Sequence, residues 1–294
     1  MTALLVCCGL ATLDVVQVVD RLPAADEKVV ARSLDVTFGG PAANAAATAA
    51  ALGVRTVLVT ALGTGPVADL VRGGLVTAGV EVVDLLDGPG TPAVSTVLVT
   101  QATGERAVVS VNAVGVPDLS ARARALGVHA DATTLLVDGH HLGAGRVLAA
   151  DAAARGVPVL LDGGSWKPGL DGLLAHVDHA VLSADFRLPD GDDQPDDLLD
   201  RVARLGPRVV AQSAGAGPVQ VRTAHGAGPP TSAVLHPPVV PADQVVDTLG
   251  AGDVLHGATA ASLAAGLDIV TALRDGVARA SESVRHPGAL GWVP

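Results

Sequence analysis

The sequence predicts an α/β protein with a doubly wound, mostly parallel sheet flanked by helices, and with a small antiparallel β lid. Three observations lead to this prediction. Short apolar runs of strand length alternate with longer, alanine-rich stretches of helical period. Two other segments alternate apolar and polar residues, and a length of 294 residues suits one large domain.

The strands of the main sheet are predicted where the chain is apolar without interruption. Such runs indicate strands that are buried on both faces, as in a parallel sheet covered by helices. Helices are predicted in the stretches between them. The runs are residues 3–9, 55–60, 133–138, 157–162, 179–183 and 208–213.

A lid is predicted from residues 14–38 and 93–112, in which apolar and polar side chains alternate at period two. A turn is expected at Thr103-Gly104 within the second segment. We expect both segments to project as a small sheet from a single domain spanning residues 1–294; edge strands of the main sheet are the alternative. Residues 189–200 predict an acidic, solvated loop that leads into a helix.

Charge and composition argue against nucleic-acid and membrane partners. The chain has 19 Lys and Arg against 30 Asp and Glu, and its net charge of -11 opposes a phosphate backbone. Aromatic residues make up only 1% of the chain, too few to stack bases. No Lys or Arg precedes Arg21, so an export signal is not expected, and the uncharged window 36–54 is interrupted by Gly, Pro and Asn. Adjacent Cys7 and Cys8 indicate core packing in a cytoplasmic protein rather than a disulfide framework.

Missing residues exclude several chemistries. The two lysines, Lys28 and Lys167, do not follow a glycine, so the phosphate loop GxxxxGK[ST] is absent. The chain has no Tyr for a Tyr/Lys hydride-transfer dyad, and it contains no HExxH or CxxC motif. A P-loop kinase is therefore excluded, and any anionic partner must be bound by a local feature of this acidic chain.

A first glycine-rich turn, at residues 63–68, matches the dinucleotide-binding pattern GxGxxA. It follows the predicted strand 55–60, precedes a helix that reaches Ala78, and has Asp84 about 20 residues further on. An NAD-dependent oxidoreductase acting through Gly63 and Gly65 is therefore an open hypothesis. Against it, such turns are common in α/β proteins, and the NAD fingerprint normally opens its domain.

A second glycine-rich segment, residues 246–253, runs into an alanine-rich helix at 254–265. The small residues Gly250, Ala251 and Gly252 allow consecutive backbone amides to converge at the helix N-terminus, where the helix dipole also favours an anion. Asp253 follows at the edge of this cradle and can accept a proton from a hydroxyl that attacks the bound phosphoryl group. A helix cap is the alternative, but a cap does not need three small residues before it.

A third segment, residues 38–44, supports the second. Gly39 and Gly40 allow a ligand to approach the backbone closely, and they precede a predicted helix at 45–52. Asn44 offers both a donor and an acceptor for hydroxyl groups, although Asn lowers helix propensity. Recognition of a ligand is therefore a better explanation of Asn44 than a structural role.

The stretches GGPAANAAATAAALG at 39–53 and VDTLGAGDVLHG at 246–257 resemble the two signature regions of the ribokinase-like (PfkB) carbohydrate kinases. Their order and separation fit, and the resemblance covers essentially the whole chain. It implies an ATP-dependent kinase that transfers the γ-phosphoryl group to a primary sugar hydroxyl, with Asp253 as base and an anion hole at 250–252. It also implies these substrate-binding residues: Asp14, Gly39, Gly40 and Asn44.

The resemblance further implies sites for the nucleotide and for cations. In this chain the nucleotide would contact Ser213, Gly215 and Gly217, together with the 283–288 loop. That loop supplies two candidate residues, Ser283 and His286. Asp247 opens the loop that holds a monovalent cation such as K⁺ in many members. A homodimer formed through the lid is expected.

The chain departs from the family pattern at two places, and the first of them affects the metal site. Many members carry Asn-x-x-Glu to organise Mg²⁺, whereas this chain has Ser183-Ala184-Asp185-Phe186. Asp185 is the nearest substitute, and Asp162 at a strand end is the alternative. The turn at Gly63 stands where relatives often have Gly-Asp-Asp, which suggests an altered family turn. A non-catalytic sugar-binding regulator is a hypothesis that the missing Asn-x-x-Glu keeps open.

The predicted substrate is a sugar rather than a nucleoside, because purine recognition favours an aromatic surface and the chain has few aromatic residues. A nucleoside kinase of the same family is the alternative, with Phe38 available to stack once. Residues 162–168 also resemble sulfofructose kinases and fructokinase-like members. Arg106 on the lid is a candidate for an anionic sugar substituent, or else a solvated surface charge. His256, one turn after Asp253, either faces the site or packs in the core.

Overall fold

The computed structural model describes residues 3–101, 106–189, 195–224 and 230–293. The predicted turn at Thr103-Gly104 and residues 190–194 of the acidic loop lie outside the described residues. The strands are β1 Leu4–Cys8, β2 Thr12–Val19, β3 Ser33–Gly39, β4 Arg55–Thr60, β5 Val80–Asp84, β6 Ala93–Thr100, β7 Arg106–Ser110, β8 Thr134–Val137, β9 Val159–Gly163, β10 His179–Leu182, β11 Val209–Ala214, β12 Gly217–Thr223 and β13 Thr231–Leu235. The helices are α1 Pro41–Ala51, α2 Pro66–Thr77, α3 Ser120–Leu126, α4 Leu142–Ala154, α5 Leu170–Leu174, α6 Pro195–Ala203, α7 Ala251–Ala264 and α8 Ile269–Ser283, with a short 3₁₀ helix at Ala242–Gln244.

The main sheet has nine strands in the order β13-β12-β11-β10-β9-β8-β1-β4-β5. The strands from β11 to β5 are parallel, and each of the six predicted apolar runs forms one of them. β12 and β13 extend the sheet with antiparallel pairing. They were not predicted, because their side chains are buried only in part, which removes the continuous apolar signal.

Helices cover both faces of this sheet, as the doubly wound prediction requires. On one face, Leu4, Val6 and Cys8 pack with residues of α3 to α6. On the other face, Leu5 and Cys7 pack with residues of α1, α2, α7 and α8. Both cysteines are free and buried, and burial raises the pKa of each thiol. Their predicted role in the core is confirmed.

The lid segments form a separate four-stranded sheet in the order β3-β2-β6-β7, not edge strands of the main sheet. Its two outer pairs are antiparallel, as predicted, whereas the central pair of β2 and β6 is parallel. One face of this sheet turns toward a cavity, and Asp14, Val16 and Val18 of β2 lie on it.

Helices α1 and α7 begin earlier than their predicted starts, at Pro41 and Ala251. Glycines precede both starts, and their low helix propensity makes the starts hard to recognise in the sequence. Each glycine has a positive φ that turns the chain into the helix: +97° at Gly40 and +75° at Gly250. Asn44 and Asp253 therefore lie in first turns. The two helices pack closely, because a Cβ atom at Gly257 would clash with the carbonyl oxygen of Ala45.

We expect Gly257→Ala to lower the free energy of unfolding by about 1–3 kcal/mol, because the added methyl group has to push α1 away from α7. Gly73→Ala is the matched control: Gly73 lies in α2, and a Cβ atom there meets nothing within 4 Å. The control should retain stability or gain up to about 1 kcal/mol. Urea unfolding of both variants measures the difference, and a Gly257 variant as stable as the control would contradict the close packing.

Candidate functional site

The candidate site lies at the carboxyl ends of the parallel strands, beside β1. The strand order reverses there, because β4 and β8 pair with opposite sides of β1. A cavity of about 1450 Å³ opens there between the lid sheet and the main domain. The structure brings many predicted residues to its wall: Asp14, Gly40, Asn44, Arg106, Asp247, Gly250 and Asp253.

The centre of the site is a hydrogen bond between two helix starts. The side-chain Nδ2 of Asn44 in α1 donates to Oδ2 of Asp253 in α7 at 2.7 Å, across 209 residues of sequence. Burial, and then the negative charge of Asp162, raise the pKa of Asp253 to about 7, while the Asn44 hydrogen bond and His256 oppose the rise. The result is a carboxyl group whose pKa suits proton transfer near neutral pH.

The loop before α7 is held by Asp247. Its Oδ1 accepts from the amide of Leu249 and its Oδ2 from the amide of Gly288, both at 2.8 Å. Gly250 has no room for a side chain, since a Cβ atom there would lie 2.5 Å from the Cβ of Ala289. The first amides of a helix have no acceptor within the helix. This loop therefore presents the N-terminus of α7 to the cavity, although the amide of Ala251 already makes a 3.4 Å contact with the Thr248 carbonyl.

On the lid side, Asp14 is packed over a glycine. Oγ1 of Thr12 donates to Oδ1 of Asp14 at 2.6 Å, and the carboxylate occupies the space that a side chain at Gly39 would need. A Cβ atom at Gly40 would lie 2.5 Å from the carbonyl oxygen of Leu10. Both glycines are thus required by contacts within the chain, independently of any ligand.

Asp138, which was not identified from the sequence, fixes the start of α1. It is 2% exposed; its Oδ2 accepts from the amides of Leu10 (2.8 Å) and Ala42 (3.2 Å), and its Oδ1 accepts from the amide of His140 (2.8 Å). The available signal was an aspartate ending an apolar run directly before a glycine, which is the same signal that Asp162 gives.

The two candidate metal carboxylates differ in their surroundings. Asp185 is exposed in the loop after β10. Asp162 is 5% exposed, and its Oδ2 lies 3.2 Å from Nδ1 of His256. Asp162 is thus enclosed beside the His256 ring and is not open to a hydrated cation, although burial raises the pKa of its carboxyl. Within the described part of the chain, no group of three or more His, Cys, Asp and Glu side chains assembles a metal site.

The predicted nucleotide residues do not line the cavity. Ser213 is near the end of β11, where its Oγ donates to the carbonyl of Leu182 at 3.3 Å, and Gly215 and Gly217 border the turn into β12. Ser283 is 3% exposed and donates to the carbonyl of Ala280. His286 contacts Glu282 at 3.4 Å. Residues 287–291 line the cavity instead, whereas the buried Ser283 hydroxyl is directed into α8.

The turn at Gly63 is filled by the chain itself. The carboxylate of Asp84 accepts from the amides of Leu62, Gly63 and Leu86 and pairs with Arg72 at 2.8 Å. A Cβ atom at Gly63 would lie 2.6 Å from the Cα of Gly90. The acid that would bind a ribose hydroxyl of NAD is therefore occupied, and packing accounts for Gly63.

Arg106 joins the lid to the loop before α7. Its Nη1 donates to Oγ1 of Thr248 at 2.9 Å, across the mouth of the cavity. Among the described residues that line the cavity, Arg106 is the single Lys or Arg. It is thus the cation available to an anionic group bound there.

No helix of the described residues has both the length and the apolar character that crossing a bilayer requires.

We expect Asp253→Asn to raise thermal stability clearly at pH 8 and much less at pH 5. A carboxyl whose folded pKa is raised stabilises the protein below its unfolded pKa, and that stabilisation is lost as pH rises through the folded value of about 7. The neutral Asn variant does not suffer this loss, which is on the order of 2 kcal/mol. Melting curves from pH 5 to pH 9 measure the difference, and curves that stay parallel over this range would contradict the raised pKa.

Comparisons with known proteins identify the family and agree with the fold. The family model described as pfkB family carbohydrate kinase matches residues 2–294. The ribokinase of Arabidopsis thaliana is 27% identical over 303 residues, covering 99% of this chain and 78% of the relative. A putative ribokinase from Agrobacterium tumefaciens superposes with a TM-score of 0.84 at 25% identity, covering 100% of this chain and 95% of that chain. An adenosine kinase from Sinorhizobium meliloti gives a TM-score of 0.74 at 19% identity, covering 98% and 96%. This chain belongs to the pfkB family of carbohydrate kinases, which are phosphotransferases.

Proposed function

We propose that this chain is an ATP-dependent sugar kinase that phosphorylates a primary hydroxyl group. The observation that carries the proposal is the half-buried carboxyl of Asp253, which lies at the N-terminus of α7, hydrogen-bonds to Asn44 and borders the cavity. The solved ribokinase of Arabidopsis thaliana, which is complexed with ribose and ATP, supports it: it superposes on this chain with a TM-score of 0.75 at 23% identity, covering 100% of this chain and 96% of that chain.

Asp253 accepts the proton of the attacking hydroxyl as its oxygen bonds to the γ-phosphorus and the bond to the departing ADP oxygen breaks. Asn44 holds the carboxylate in one orientation through the 2.7 Å hydrogen bond. Amides at the start of α7 stabilise the charge on the transferred group. ATP supplies the phosphoryl group, and Mg²⁺, when bound, would neutralise part of the phosphate charge.

A protein-held cage for Mg²⁺ is not needed for this chemistry. Mg²⁺ usually keeps several waters and takes one or two carboxylates beside the phosphates of the substrate. The exposed carboxylate of Asp185 fits such a limited role, whereas buried Asp162 does not. Asp247 is the proposed residue for K⁺, because its loop joins the 288 region to the start of α7.

A sugar fits the cavity better than a nucleoside. Of the four aromatic residues, Trp166 packs on Phe186, and Trp292 packs under Arg279. Phe38 borders the cavity, but its ring packs against Gly74 of α2, where an added Cβ would lie 2.8 Å from Cδ1. The lid wall is built from Val16, Val18, Val99 and Val108, which offer no stacking surface.

We also propose a homodimer formed through the lid of this cytoplasmic protein. The outer face of the lid, opposite the cavity, exposes Leu34 (64%), Val36 (47%) and Val109 (73%). Strand pairing aligns Val36 with Val15, Val15 with Thr96 and Thr96 with Val109 across the sheet, so these side chains form one apolar surface. A second copy of the same surface would cover it.

We expect Asp253→Asn to lower kcat for phosphorylation of the sugar substrate by about 10²- to 10⁴-fold, because the general base is lost. ADP release, measured over hexoses, pentoses, sulfonated sugars and nucleosides, first identifies the substrate. Asp131→Asn, an exposed position distant in sequence, is the control and should match wild type.

Three outcomes would overturn the proposed function. If the wild-type protein binds a sugar but releases no ADP in the presence of ATP, the protein is a sugar-binding regulator and not a kinase. Stabilisation by NADH but not by Mg-ATP would favour an oxidoreductase. An unchanged kcat in the Asp253→Asn variant would remove Asp253 from the reaction.

We expect Val109→Asp to convert the dimer to monomer, because the charge enters the apolar outer face of the lid. Val239→Asp is the control, since Val239 is 89% exposed and lies outside the lid. Sedimentation velocity of the three proteins at equal concentration measures the mass. A monomeric wild type, or a Val109 variant that stays dimeric, would contradict the lid interface.

A further inference from the structure

His256 is a buried side chain that the reaction as described does not use. It lies one turn after Asp253 in α7 and is 5% exposed. Its Nδ1 is 2.6 Å from the carbonyl oxygen of Gly252, and its Nε2 is 3.0 Å from the carbonyl oxygen of Val181 in β10. The ring therefore spans the gap between the first turn of α7 and the main sheet.

The partners of the ring determine which protons it carries. A carbonyl oxygen only accepts hydrogen bonds, so both contacts are hydrogen bonds only if each ring nitrogen carries a proton. In a neutral ring, one nitrogen lone pair would face a carbonyl oxygen at close range. Two carbonyl acceptors at these distances favour the doubly protonated imidazolium, in opposition to burial, which lowers the pKa of His256.

Asp162 provides the counter-charge. Its Oδ2 lies 3.2 Å from Nδ1 of His256 and, among the described residues, has no hydrogen-bond partner of its own. Burial opposes both charges, because it lowers the pKa of His256 and raises that of Asp162. The two carbonyl acceptors and the charge of Asp253 favour the protonated ring. The pair is neutral as a whole, which lowers the desolvation penalty of burying it.

The other charged groups around this pair are few. Asp253 faces His256 from the same helix, and Asp138 reaches Asp162 from the end of β8. Lys167, from the segment after β9, also acts on Asp162, and Cys7 of β1 lies within electrostatic range. The His256–Asp162 pair thus lies close to two further carboxyl groups, the half-buried Asp253 and the buried Asp138.

The first turn of α7 needs such a support. It contains Gly250 and Gly252, which have the most backbone freedom of any residue type, yet its amides must be fixed before a phosphoryl group arrives. His256 contacts the carbonyl oxygen of Gly252 in its own helix and the carbonyl oxygen of Val181 in β10. These two contacts restrict the movement of the first turn of α7 relative to the main sheet.

We propose that His256 is a positioning residue: protonated on both ring nitrogens and paired with Asp162, it clamps the first turn of α7 to β10 and supplies the positive charge beneath Asp253. The proposal rests on the proposed function for its effect on catalysis. The protonation state of the ring does not depend on that function.

The direct test is the ¹⁵N spectrum of histidine-labelled wild-type protein at pH 7.5, with His256 assigned by its loss in His256→Gln. We expect two protonated ring nitrogens at His256, and a single protonated nitrogen would overturn the proposal. No substrate is needed, so failure of the kinase assignment and failure of the clamp are distinguishable.

The kinetic test uses the sugar identified by the ADP assay. His256→Gln should lower kcat by about tenfold to a hundredfold with little change in KM, and should move the acid limb of the pH profile upward by about half a unit or more. His236→Gln, at an exposed position, is the control. A variant with normal kcat and an unmoved acid limb would overturn the positioning role.

Asp162→Asn provides a second variant in case His256→Gln folds poorly. It removes the counter-charge but leaves both carbonyl contacts, so the ring should lose its second proton at a lower pH than in wild type. An unchanged ¹⁵N titration of His256 in this variant would exclude the pairing.

Discussion

The hydrogen bond between Asn44 and Asp253 is the contact on which the rest of the site depends. It joins two helix starts that are 209 residues apart in sequence, so it exists only if α1 and α7 approach closely. Alanines along α1 and Gly257 in α7 permit that approach. Asp138 fixes the start of α1, while Asp247 and His256 fix the start of α7. The fold thus places the Asn44 amide group beside the Asp253 carboxyl group by fixing the N-terminus of each helix separately.

The electrostatics of the site follow from a shortage of lysine. With two lysines in the chain, the site relies on backbone amides and carboxyl groups. Asp138 and Asp247 use their oxygens to hold backbone N–H groups, which keeps loops in place without an added cation. Asp253 is left as the carboxyl with a raised pKa at the cavity. Asp138 and Asp247 thus accept from backbone amides, whereas Asp253 accepts from the side chain of Asn44.

The sequence predicts the main strands and the lid because burial on two faces and on one face leave different patterns. It also predicts Asn44 and Asp253, because polar residues at the start of alanine-rich helices are conspicuous. It does not reveal Asp138, whose three amide partners come from distant segments, nor β12 and β13, which are only half buried. Ser283 shows the reverse problem: its loop resembles a ligand site, but its hydroxyl is satisfied by its own helix.

The strand that carries Asp14 begins four residues after β1 ends, and Gly39 closes β3 directly before α1. The segments that join the lid to the main domain therefore also position Asn44. Gly40 lies against the Leu10 carbonyl, and Asp138 accepts hydrogen bonds from the amides of both Leu10 and Ala42. Divergence in these segments would disturb the chemistry itself. The far strand β7, with Arg106 and Val108, has no such tie to α1. Substitutions at the outer edge of the lid are accordingly expected to leave the start of α1 intact, whereas substitutions at its root should displace it.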